Sequence, residues 1–154
     1  SKTEAAAQVR PAPRELPTVA VNWGEIESLD KLLNIAQTMF PPCILNLVNT
    51  LTRGENLTHH QRFALATFLI KLGDVYKRQV LKLFSFSPDF SEKIARYQIE
   101  HLAGLRGSKK RYLVYSCATM KALGMCVAEC GIKNPLLYPR RVSKNLLGNK
   151  NSVG

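Results

Sequence analysis

Four cysteines are the residues of this chain best equipped to hold a metal: Cys43, then Cys117, Cys126 and Cys130 in a C-x8-C-x3-C run. Thiolates are strong ligands for tetrahedral zinc and for iron–sulfur clusters. Structural zinc usually announces itself by two close C-x2-4-C knuckles, a pair this sequence lacks. A cluster tolerates more scattered ligands, because its irons present separate coordination sites. Isolated buried thiols are the plain alternative, since free cysteine is a common core residue. Disulfides fit poorly with an intracellular setting. Spacing alone leaves zinc, a cluster and inert thiols open.

The second chemistry is anion binding. The formal net charge is +11, from 22 Lys and Arg against 11 Asp and Glu. Between Gly104 and Lys150 ten Lys and Arg face the single carboxylate of Glu129. A basic excess of this kind marks a phosphate-rich partner, or else a solvated surface. The carboxylates Asp30, Asp74 and Asp89 are scattered, so the sequence offers no pair of the sort that holds two metals for nucleotide transfer. Charged or polar residues interrupt every hydrophobic stretch, and neither a membrane span nor a signal peptide is legible. The expected location is cytoplasmic, in association with the nucleoid.

The elements that must position these groups are mainly helices. Leu29, Leu32, Leu33, Ala36 and Phe40 recur at helical spacing, ended by Pro41-Pro42, which can also open the next helix. Ile44, Leu47, Val48 and Leu51 form a second stripe, closed at Arg53-Gly54. Thr58 and Gln61 have capping-box spacing before a helix carrying Phe63, Leu65, Phe68, Leu69 and Leu72, which stops at Gly73. A shorter helix covers Val80, Leu81 and Phe84, and Ser87-Pro88-Asp89 is expected to start another that runs to Gly104. Residues 106–111 form a basic Gly/Ser loop, Tyr112 to Tyr115 reads as a short strand, and the Cys-rich stretch is expected to be helical from about Ala118. Residues 1–17, punctuated by Pro11, Pro13 and Pro17, read as a linker from a preceding domain; 18–147 is the domain itself and 148–154 a flexible tail.

The order and wording of several segments resemble a known family. These are Pro41-Pro42-Cys43, the run from Glu55 to Phe63, Phe68 to Gly73, Pro88-Asp89-Phe90, Arg96 to Gly104, Tyr115-Ser116-Cys117, and Cys126, Cys130 and Asn134 to Tyr138. Together they resemble the iron–sulfur C-terminal domain of the DNA primase large subunit, in its archaeal form. The resemblance covers roughly residues 28–140. It implies a compact, mainly α domain with little β structure, organised around a 4Fe–4S cluster held by Cys43, Cys117, Cys126 and Cys130. It also implies a non-catalytic domain whose partners are the catalytic small subunit, the single-stranded DNA template, the primer–template junction and the initiating nucleotide triphosphate. By position His59 and Arg62 match family residues that grip phosphates, Gln98 and His101 match others at the same surface, and Tyr97 matches an aromatic of that motif. Lys71, Lys109, Lys110 and Arg111 extend the expected contact set. His60 reads more readily as a hydrogen-bonded structural residue.

Two departures stand out. Thr58 lies where eukaryotic relatives carry a basic residue, and Lys71 sits one position beyond the family lysine, which aligns closer to Ile70. Asp74 to Gln79 match the in-frame translation of a transposase adaptor end, in place of the loop and first helical turn that relatives have there; no functional argument rests on them. Two other functions compete. A helical iron–sulfur DNA glycosylase expects four cysteines clustered at the C-terminus, which Cys43 contradicts. A zinc-stabilised nucleic-acid-binding domain unrelated to priming would use the same four ligands.

Overall fold

The computed structural model describes residues 28–142 apart from 74, 75, 108 and 111. Six helices carry the described chain: α1 (Leu29–Met39), α2 (Pro42–Thr52), α3 (His59–Leu72), α4 (Lys77–Phe84), α5 (Glu92–Leu102) and α6 (Cys117–Ala122). Residues 137–142 are also helical. The expected linker and tail lie outside the described residues.

Local chemistry sets the helix ends. Ser28 caps α1 through its side chain on the Lys31 N–H at 3.2 Å, and Pro41 and Pro42 separate α1 from α2. The capping box read from Thr58 and Gln61 is present in both directions: Gln61 N–H donates to the Thr58 hydroxyl at 3.3 Å, and Thr58 N–H donates to the Gln61 side-chain oxygen at 2.8 Å. Two such bonds satisfy amides that would otherwise have no helical partner.

α3 is the centre of the core. Every residue from Ala64 to Ile70 is buried, so this helix is enclosed on all sides instead of presenting one apolar stripe. It packs against α2, α4 and α5, and Phe68 meets Phe40 edge-on with ring centroids 5.1 Å apart. Tyr76 and Gln79, within the adaptor-like segment, are also buried, and Asp74 and Val75 lie outside the described residues.

Three expectations change. The helix expected from Ser87 begins instead at Glu92, because Ser91 supplies the cap and the Ser87–Asp89 turn precedes it. Tyr112 to Tyr115 has no regular secondary structure, and no strand occurs among the described residues; an alternating pattern needs a neighbouring ladder to become one. Finally, α6 ends at Ala122, and Cys126 and Cys130 lie on irregular backbone after the turn at Gly124.

Candidate metal centre and nucleic-acid interface

All four cysteines line one cavity of about 450 Å3. Cys43 comes from the first turn of α2 and is buried; Cys117 is the first residue of α6; Cys126 and Cys130 come from the following loop. Ser116 caps α6 on the Thr119 N–H at 3.1 Å, and the Cys117 N–H donates to the Lys133 carbonyl at 2.9 Å, tying the cage to the far end of the loop. Arg141 reaches back to donate to the carbonyls of Cys130 (2.6 Å) and Gly131 (3.3 Å). The Cys126 and Cys130 thiols both point at the Ala128 carbonyl, at 3.4 and 3.6 Å.

The thiols are close enough to act on one another. Burial pushes the Cys43 thiol up to about 12; the neighbouring Cys117, Cys126 and Cys130 add to the rise, against a lowering by the Ile44 backbone. Cys117 is raised by burial and by Cys126 and Cys130, and Cys130 by burial, Cys126 and Glu129. Cys43, Cys117 and Cys130 would therefore hold their protons at neutral pH unless a cation replaced them. Among the described residues no group of three or more His, Cys, Asp or Glu is arranged to hold a single metal ion.

A second site lies where the start of α3 meets the C-terminal half of α5. His59, Arg62 and Phe63 from α3, Tyr97, Gln98, His101 and Leu102 from α5, and Phe84 from α4 line a cleft of about 170 Å3. Five expected contact residues, His59, Arg62, Tyr97, Gln98 and His101, thus converge on one surface. No acidic side chain occupies the first turn of α3, so the positive dipole end of the helix lies unopposed beside His59 and Arg62. Arg62 donates one guanidinium nitrogen to the Leu57 carbonyl at 2.8 Å, which fixes the group and leaves its other donors for a ligand. Tyr97 is 52% exposed, which rules out the core-facing alternative for this ring.

Other expected residues are not part of this cleft. Lys71 is exposed in the last turn of α3; nine residues beyond Arg62 carry it about half a turn around the helix and about 13 Å along it. Lys109 and Lys110 are exposed on the loop after α5, Lys110 with its ammonium 5.7 Å from the Tyr112 ring centroid. Arg111 lies outside the described residues.

The sequence reading missed an aromatic ridge beside the cleft. Tyr97 stacks on His101 (6.2 Å, 18°), His101 meets Tyr112 (5.5 Å), Tyr112 meets Phe63 (5.9 Å) and Phe63 meets Tyr115 (4.6 Å). The Tyr112 hydroxyl lies 3.2 Å from His101 Nε2, and the Tyr115 hydroxyl 3.0 Å from His60 Nδ1, which gives His60 the structural partner expected of it. Arg106 lies over the Tyr97 ring at 5.6 Å and bonds Glu100, whose carboxyl it holds below the ordinary value. The signal available was the pair of tyrosines three apart directly after the basic loop.

Residues 33–146 match the family described as the C-terminal domain of the eukaryotic and archaeal DNA primase large subunit. The chain is 46% identical over 114 residues to the DNA primase large subunit PriL of Methanopyrus kandleri, covering 73% of this chain and 28% of that protein. It is 37% identical over 128 residues to the PriL of Archaeoglobus fulgidus (83% and 32% covered), and 43% identical over 126 residues to that of Methanococcoides burtonii (78% and 34%). The aligned part thus spans about a third of the length of these relatives. No solved structure matches the chain.

Proposed function

Because the chain belongs to the family of C-terminal domains of the DNA primase large subunit, we propose that it is a non-catalytic nucleic-acid-binding domain that engages the template and the 5′-triphosphate end of the primer at the start of primer synthesis in DNA replication. The observation that carries this reading is the convergence of His59, Arg62, Tyr97, Gln98 and His101 on one cleft. An Arg fork and helix-terminal amides suit phosphate oxygens. The exposed rings beside them suit the bases of a single strand or a strand end. In this reading nucleotide transfer belongs to the small subunit of the primase, and this domain presents the primer end to it.

The four cysteines fit a 4Fe–4S cluster. Cys43, Cys117, Cys126 and Cys130 would hold it, and its role would be structural, joining the first turn of α2 to the loop after α6. A single zinc ion, which would draw four sulfurs to about 2.3 Å from one centre, is the alternative occupant of the same cavity. Iron and sulfide analysis after anaerobic purification separates the two.

The binding reading is tested with two template–primer duplexes, one with a 5′-triphosphate on the primer and one with a 5′-hydroxyl, at fixed salt. The native chain should prefer the triphosphate. Arg62→Ala should erase most of that preference, about 1.5–3 kcal/mol as for a hydrogen bond to a charged group, while leaving iron content unchanged. Equal loss for both duplexes would assign Arg62 to general phosphate contact and remove the initiation site from the proposal.

A further inference from the structure

Beyond α5 the chain turns through Gly104, left-handed at φ 81°. The Gly104 N–H donates to the His101 carbonyl at 3.1 Å and the Leu105 N–H to the Glu100 carbonyl at 2.9 Å. This doubly bonded helix end turns the basic loop back over α5. Arg106 then bonds Glu100 and covers Tyr97, the Lys109 N–H donates to the Arg106 carbonyl at 3.1 Å, and Lys110 covers Tyr112. Gly107 and Lys109 are themselves left-handed, at φ 63° and 59°, so the loop holds two unusual conformations within three residues.

Gly107 is the point where this loop meets the cleft's imidazole. Its φ is +63°, and a Cβ added there would stand 2.7 Å from both Cε1 and Nδ1 of His101. His101 Nδ1 is buried and has no hydrogen-bond partner among the described residues, while Nε2 contacts the Tyr112 hydroxyl. A buried nitrogen without a partner is costly. The loop also places a cation on each ring that neighbours the imidazole, Arg106 on Tyr97 and Lys110 on Tyr112.

We propose that Gly107 is a positioning residue for the cleft: lacking a side chain, it seats the basic loop directly on His101 and fixes that ring between Tyr97 and Tyr112. The role in ligand binding rests on the reading of the cleft as a phosphate site. A side chain at 107 must either push the imidazole out of the cleft wall or lift the loop with its cations.

The test is Gly107→Ala in the native and in the His101→Ala backgrounds. Gly124→Ala is the control, because Gly124 is also left-handed (φ +76°) but an added Cβ there meets nothing within 4 Å. Two readings are taken: affinity for the 5′-triphosphate duplex, and the chemical shift of the His101 Cε1–H resonance in the free protein. Gly107→Ala should weaken binding about tenfold in the native background and less than about twofold without His101, the coupling expected of directly touching groups. It should also shift the His101 resonance, whereas Gly124→Ala should change neither reading. The same fold loss in both backgrounds, or an unmoved His101 resonance, overturns the positioning role. Absence of any triphosphate preference in the native chain would instead overturn the phosphate reading, and the resonance would then decide the positioning role alone.

Discussion

Cys43 is the ligand candidate on which the molecule depends most, because it alone joins the first turn of α2 to the cage completed by Cys117, Cys126 and Cys130. Cys43→Ser should therefore lower iron content and melting temperature together; full iron occupancy with unchanged melting would show that the cage does not hold a cluster through this residue. At this scale the sequence was informative where residues a turn apart on one helix face a common partner. His59 with Arg62, and Tyr97 with Gln98 and His101, satisfy that condition and meet in the cleft. Lys71, which stands one position beyond the lysine of the family pattern, lies outside the cleft because it is half a turn around α3 from Arg62. Tyr112 and Tyr115 escaped notice because they reach Phe63, His60 and His101 from a segment with no periodicity of its own.

The binding geometry depends on how α3 begins. His59 and Arg62 occupy the turn that Thr58 and Gln61 fasten from both directions. Thr58→Ala should destabilise the fold by about 0.5–2 kcal/mol, the usual cost of losing such a cap. For a domain of this length that is a fall of a few degrees in Tm, about 2–4 °C per kcal/mol. It should also weaken triphosphate binding in step, since fraying the turn disorders both side chains; calorimetric melting and one titration check the pair, and lowered stability with intact binding would mean the turn is held by packing alone. The helices themselves were legible because apolar spacing, prolines and caps coincide at their ends. The Cys-rich loop was not: its conformation is set by the Cys117–Lys133 and Arg141–Cys130 bonds, contacts between distant positions that no local pattern encodes.

Taken whole, the molecule carries its excess positive charge on exposed positions such as Arg106, Lys109 and Lys110 near the cleft. If the domain neutralises about four phosphates, log affinity for a single strand should fall against log salt with a slope of roughly −3. Affinity measured across a salt series gives that slope directly, and a flat line would show that the charge belongs to the general surface. No described helix is long and apolar enough to cross a membrane.

The cavity that gathers the four cysteines also fixes an order of events during synthesis. Its walls come from Pro41 and Cys43 on one side and from Ser116 to Pro135 on the other. A ribosome adding about 5–20 residues per second delivers α2 several seconds before Cys130 exists. During that interval Cys43 is a lone thiol on a nascent chain whose closing wall has not yet been made. Any cofactor delivered to this site must therefore arrive after translation of the loop beyond α6, so loading is a late step, and a chain stalled earlier would expose Cys43 to oxidation.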